Sequence, residues 1–123
     1  IKAEASTKVV PVSKIPAGSH IVDIGPKSIA LFHNELRKCR TILWNGPMGI
    51  YEIPQFAQGT RSIASFLSTL DATTIIGGGS SAEVVEEMGL TDKMTHVSTG
   101  GGASLRFLES ATLPGVKVLL DRE

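Results

Sequence analysis

Two glycine triplets carry the chemistry that the sequence suggests most strongly. They lie in residues 77–81, Gly-Gly-Gly-Ser-Ser, and residues 100–104, Gly-Gly-Gly-Ala-Ser, and each follows an apolar strand-like run and opens a helix-like run. A backbone without Cβ atoms at a helix N-terminus presents unpaired N–H groups and a partial positive charge. Such groups bind phosphate oxygens. We therefore predict that both triplets hold one polyphosphate, the alternative being two tight turns without a ligand.

A third loop, residues 44–52, follows another apolar run and is rich in glycine, proline and aromatic residues. Pro47 stiffens this loop, and Gly46 lets its backbone approach a flat ligand. Ile50 can supply an apolar wall, and the Glu52 carboxylate is suited to the hydroxyls of a ribose. An ordinary ordered loop with a solvated Glu52 explains the pattern equally well.

Composition and residue spacing exclude several classes of binding partner and motif. The chain has 123 residues with 12 basic and 12 acidic side chains, so no net positive field would attract nucleic acid or a membrane. No apolar stretch approaches the roughly 20 residues that cross a bilayer. The three histidines lack the spacing of metal ligands, and neither Gly-Lys-Ser/Thr nor Gly-x-Gly-x-x-Gly occurs. Cys39, the one cysteine, fits a reducing cytoplasm and is expected to be buried or half-buried.

Hydrophobic periodicity predicts an alternation of strands and helices along one domain. The predicted strands span 20–24, 41–44, 73–76 and 95–98, and the predicted helices span 27–39, 59–70, 80–88 and 102–108. Ser28 is the expected N-cap of the first helix. Residues 1–19 are expected to form an extended leading segment, and the last residues are expected to dock Val118, Leu119 and Leu120 on the core.

This alternation predicts an α/β fold with a mainly parallel, doubly wound sheet. In such sheets ligands bind beyond the carboxyl ends of the strands. The loops that begin after Trp44, Ile76 and Ser98 all leave carboxyl ends, so we expect them to converge on one edge of the sheet.

Taken together, these loops resemble those of phosphoglycerate kinases. The resemblance rests on Trp-Asn-Gly-Pro-Met-Gly in 44–49, Ile-Ile-Gly-Gly-Gly in 75–79 and Ser-Thr-Gly-Gly-Gly-Ala-Ser in 98–104. Asp-Ile-Gly-Pro-Lys in 23–27 and Leu-Pro-Gly-Val in 113–116 extend it along the chain. It implies a glycolytic enzyme that transfers a phosphoryl group reversibly between 1,3-bisphosphoglycerate and ADP, giving 3-phosphoglycerate and ATP.

The resemblance also implies the fold and the role of each site residue. The family has two Rossmann-like lobes of three layers, α/β/α, and residues 1–123 would form the C-terminal part of the nucleotide-binding lobe. Glu52 would hold the ribose, and Gly100, Gly101 and Gly102 would steady the phosphoryl group in transfer. The remaining nucleotide-binding positions would be Asn45, Gly46, Pro47, Ile50, Gly77, Gly78, Gly79, Ser80 and Ser81.

One residue departs from the family pattern in a way that concerns the metal. Members of the family commonly carry an aspartate after the third glycine, where it helps to hold Mg²⁺ bound with ATP or ADP, and this chain has Ser80. A neutral hydroxyl is a weaker partner for Mg²⁺ than a carboxylate. We therefore expect no protein ligand for the metal, which is either held by phosphates and water or bound less tightly.

The resemblance places the glycerate-binding lobe outside this sequence. We therefore expect no kinase activity from the chain alone, because transfer needs both substrates held in line. We also expect self-association, although members of the family are usually monomers, because exposed strand edges and apolar helix faces favour it. The alternatives are a stand-alone nucleotide-binding module without catalysis and an interaction domain that uses the fold without the ligand.

Overall fold

The computed structural model describes residues 1–119. Three strands alternate with helices along these residues. The strands are β1 (Thr41–Asn45), β2 (Thr73–Gly77) and β3 (His96–Ser98). The helices are α1 (Pro26–Leu36), α2 (Gln58–Leu67), α3 (Gly79–Glu87), α4 (Gly101–Ser110) and α5 (Pro114–Lys117), and short 3₁₀ turns span Val12–Lys14, Pro54–Phe56 and Thr91–Lys93.

The strands form one parallel sheet in the order β1-β2-β3. Trp44 pairs with Ile76, Asn45 with Gly77, and Gly77 with Ser98, so the three carboxyl ends lie side by side. Helices α2 and α3 contact each other and share one buried cluster with the sheet, so they lie on the same face of it. The predicted α/β fold with a parallel sheet is therefore confirmed.

The core lies between the sheet and these two helices. Ile42 and Trp44 alternate along β1 and are both buried, as are Ile63 and Leu67, which share one face of α2 at i,i+4 spacing. The full buried cluster is Ile42, Trp44, Ile63, Ala64, Leu67, Ile76, Val84, Val85 and Met94. This cluster fixes the sheet from which the three loops leave.

Two predictions about the region before β1 are wrong. Residues 20–24 form no strand, because no neighbouring strand pairs with them within residues 1–119. Their one backbone–backbone hydrogen bond to another segment joins the Ile50 N–H to the Val22 carbonyl at 3.0 Å. Ser28 is not the N-cap of α1, which begins at Pro26 with Gly25 as its cap. Proline suits the first helical position because its φ is preset and no N–H is left unpaired there.

Further corrections concern exposure at the surface. Cys39 is exposed because α1 ends at Leu36, so the thiol lies in the following turn rather than on a packed helix face. Val118 and Leu119 do not dock, with 79% and 69% of their surface exposed, and Leu120 lies outside the described residues.

Residues 1–19 contain no strand and no α-helix, and all of them except Val10 are exposed. Across residues 1–119, every helix falls short of the length and apolar character that a bilayer-spanning segment requires.

Candidate functional site

The three loops that follow the strands meet around one cavity of about 330 Å³. The end of β1 and the loop after it contribute three residues, the β2–α3 junction with the first turn of α3 contributes four, and the β3–α4 junction with the start of α4 contributes three. The lining is Asn45, Gly46, Pro47, Gly78, Gly79, Ser80, Ser81, Thr99, Gly101 and Gly102. The predicted convergence of the loops at one sheet edge is confirmed, whereas the ligand that they hold stays a prediction.

Gly101 is the point at which the loops touch. A Cβ atom there would collide with Oδ1 of Asn45 and would come within 2.7 Å of the Gly78 Cα. Gly77, at the end of β2, is similarly crowded, since its Cβ would lie 3.0 Å from the same oxygen. Only glycine lets the backbones approach this closely, so the two triplets define the shape of the cavity.

Gly78 and Gly46 are needed for a second reason. Gly78 has φ +91° and Gly46 has φ +102°, in the region that residues with a Cβ rarely adopt. Gly78 is the N-cap of α3, and its conformation turns the chain from the sheet edge into the helix. Both glycines therefore set the path of the backbone beside the cavity.

Two helices begin at the cavity without caps. Neither Gly78 before α3 nor Gly100 before α4 makes a side-chain cap hydrogen bond, and neither helix has an acidic residue in its first turn. Since the first residues of both helices line the cavity, their N–H groups and the positive ends of both helix dipoles lie beside it. Two such ends are suited to an extended anion such as a diphosphate.

Buried hydroxyls hold the loop after β1 in place. The Gly46 N–H donates to Ser81 Oγ at 2.8 Å, and the Met48 N–H donates to Thr60 Oγ1 at 3.0 Å. Both hydroxyl-bearing residues have 0% of their surface exposed. The oxygen of Ser81, which sequence reasoning assigns to phosphate binding, thus accepts a hydrogen bond from the neighbouring loop.

Tyr51 connects the same loop to α3. Its hydroxyl donates to the Glu83 carboxylate at 2.9 Å. The side chain of Ser80 lowers the pKa of Tyr51, but the hydrogen bond to Glu83 and the charges of Glu83 and Glu52 outweigh it, so the pKa lies above its ordinary value. The contact bridges the two elements on either side of the cavity.

Sequence reasoning and structure agree on most of the lining but not on all of it. Within the described part of the chain, the lining does not include Ile50, Glu52, Gly77 or Gly100. Glu52 is exposed, Ile50 is half-buried and Gly77 is buried beneath Asn45, and Gly100 is the exposed N-cap of α4. The structure adds Thr99, which stands in the quoted motif without an assigned role.

Asp23 is a positioning residue that sequence reasoning missed. Its carboxylate accepts from the Gly59 N–H at 2.9 Å and from the Ile24 N–H at 2.8 Å. The first bond caps α2 from a segment 36 residues away. No local signal reveals it, because the donor and the acceptor belong to different elements.

The donors around the cavity do not form a metal site. Among residues 1–119, no three His, Cys, Asp or Glu side chains lie close enough together to hold an ion. The residues of the lining are all uncharged.

Comparisons with known proteins point to a single family. The sequence model described as "Phosphoglycerate kinase" matches residues 1–111. The phosphoglycerate kinase of Pelotomaculum thermopropionicum is 55% identical over 94% of this chain and 29% of its own length, and that of Chloroflexus aggregans is 53% identical over 98% and 31%. The solved structure of phosphoglycerate kinase from Coxiella burnetii matches with a TM-score of 0.84 and 38% identity over 95% of this chain and 30% of its own. The chain thus spans about 30% of the length of these relatives.

Proposed function

The chain belongs to the phosphoglycerate kinase family, and we propose that its cavity holds the phosphates of ADP or ATP. The observation that carries the proposal is the meeting of two uncapped helix N-termini at one cavity without a carboxylate in its lining. A diphosphate spans such a site and accepts hydrogen bonds from both ends.

The roles within the cavity follow from its chemistry. Gly78, Gly79 and Ser80 offer the N–H groups and the hydroxyl at the start of α3, and we assign them to the nucleotide phosphates. Gly101 and Gly102 open α4, and we assign them, with their cap Gly100, to the phosphoryl group in transfer. Fixed N–H dipoles stabilise the charge that develops on that group without reorganising during the reaction.

The nucleoside would lie against the loop after β1. Gly46 and Pro47 line the cavity, and Ile50 and Glu52 follow on the same loop. We assign Ile50 to the apolar side of the nucleoside and Glu52 to the ribose hydroxyls. The exposure of Glu52 is compatible with this assignment, since its carboxylate is accessible to a ligand.

The reaction proposed for the whole protein is reversible phosphoryl transfer between 1,3-bisphosphoglycerate and ADP, in the cytoplasm. The chain spans about 30% of its relatives, and we infer that the remaining part binds the glycerate substrate. Transfer requires donor and acceptor in line within one site. The 123-residue chain by itself would therefore bind nucleotide without turning it over.

Magnesium would reach this site with the nucleotide. An uncharged lining does not fit a metal held by the protein, because Mg²⁺ in proteins is usually bound by one or two carboxylates together with phosphates and water. No step of the proposed transfer is therefore assigned to a protein-bound metal.

Titration of the chain with ADP tests the proposed function. Trp44 is the only tryptophan of the sequence and lies two residues before Gly46, so its fluorescence reports on the loop. We expect saturable binding by the chain, loss of binding in Gly101→Ala, and unchanged binding in Gly115→Ala, where an added Cβ meets nothing within 4 Å. Absence of binding at millimolar ADP would overturn the proposal. A coupled kinase assay tests the expected lack of turnover. Turnover by the chain alone would show that it is a complete enzyme and not only a nucleotide-binding part.

A further inference from the structure

The lining of the cavity is uncharged, and this has a consequence for the form of nucleotide that it accepts. Its polar groups are backbone amides, the Asn45 carboxamide and the hydroxyls of Ser80, Ser81 and Thr99. Together with the two helix dipoles, they favour negative charge on the ligand. They include no carboxylate that could coordinate a cation.

The carboxylates of α3 do not enter the cavity. Glu83, one helical turn beyond Ser80, accepts the hydrogen bond of Tyr51 at 2.9 Å. Glu87 lies 3.8 Å from the Arg61 guanidinium, on the side of α3 that faces α2. None of the three α3 carboxylates, Glu83, Glu86 and Glu87, belongs to the lining, so α3 contributes no charged side chain to the phosphate site.

We propose that this cavity binds metal-free nucleoside diphosphate at least as tightly as its magnesium complex. The proposal rests on the proposed function, since it concerns the same site. Magnesium neutralises part of the charge that the N–H groups and helix dipoles attract, and it occupies oxygens that these donors would otherwise bind. The described lining holds no carboxylate that would repay that loss by contacting the metal.

Binding of ADP to the chain in EDTA and in excess magnesium tests the proposal, with isothermal titration calorimetry as the readout. We expect the Kd in EDTA to be equal to or lower than the Kd in magnesium. Binding that is tighter in magnesium by about threefold or more would overturn the proposal and leave the proposed function standing. No binding under either condition would overturn both.

Ser80→Asp provides a second test, because it places a carboxylate beside the phosphates. An aspartate in the first turn of α3 is compatible with the helix dipole, so the variant is expected to fold. It should weaken binding of metal-free ADP by about tenfold and make binding tighter in magnesium than in EDTA. Ser65→Asp, on an exposed position of α2, adds the same charge away from the cavity and should leave the ratio of the two Kd values unchanged. An unchanged ratio in Ser80→Asp would contradict the proposal.

Discussion

At the scale of single residues, the site depends on short polar side chains that satisfy backbone groups across loops. Ser81 and Thr60 each receive an N–H from the loop after β1, and both are completely buried. A buried N–H without an acceptor is costly, so these hydroxyls fix the loop in one conformation. Sequence reasoning could not find them, since their partners lie 35 and 12 residues away.

Replacement of Thr60 by valine tests this role. Valine keeps the shape of threonine but leaves the Met48 N–H without its acceptor, so we expect a loss of about 1–3 kcal/mol in the free energy of unfolding. Thr73→Val, at an exposed position of β2, is the matched control and should change stability by less than about 0.5 kcal/mol. Urea unfolding of both variants measures the difference. Equal stabilities would show that the loop does not depend on this bond.

At the scale of secondary structure, the helices begin in different ways, and the difference follows their use. Proline opens α1, and the distant carboxylate of Asp23 caps α2. The N-termini of α3 and α4 carry no side-chain cap and line the cavity. Among the helix N-termini without a side-chain cap, these two lie at the cavity, which supports their assignment to phosphate binding.

Asp23→Ala tests the long-range cap of α2. The change removes the acceptor of the Gly59 N–H, and we expect a loss of about 1–2 kcal/mol in the free energy of unfolding. Asp23→Asn keeps a side-chain oxygen that can accept the bond, so this variant should recover part of the lost stability. Asp71→Ala removes an exposed carboxylate and serves as the control. A thermal midpoint for Asp23→Ala that matches this control would rule out the cap.

The sequence predicted the elements that local patterns determine and failed where distant partners decide. β1 and β2 were predictable because short apolar runs between glycine-rich loops indicate buried parallel strands. Residues 20–24 have the same local pattern, but no strand within the described residues 1–119 pairs with them, and no local pattern shows this. The lining was predictable for the glycines, whereas the link between Tyr51 and Glu83 depends on how a loop folds over α3.

At the scale of the whole molecule, the described residues expose a large amount of apolar surface. Leu105, Phe107 and Leu108 on α4 are 48%, 55% and 67% exposed, and Val116 and Leu119 near α5 are exposed as well. Exposed apolar side chains grouped on neighbouring helices typically mark a surface that packs against protein.

Sedimentation of the 123-residue chain tests the expected self-association. The weight-average mass should rise above the monomer value with increasing concentration, because burial of the α4 side chains stabilises the associated state. Phe107→Gln combined with Leu108→Gln should reduce this rise, whereas Val12→Gln, far along the chain on an exposed turn, should not. A mass that stays monomeric at all concentrations would contradict the expectation.

The contact of Gly101 with Asn45 and Gly78 limits where insertions can be accepted as this site evolves. Because three chain segments touch at one point, lengthening any of them by a single amino acid would push the other two apart. The turn at Gly89, where an added Cβ meets nothing within 4 Å, has room for such an insertion. Length variation among natural variants should therefore accumulate at the Gly89 turn and be missing from the three strand-to-loop junctions.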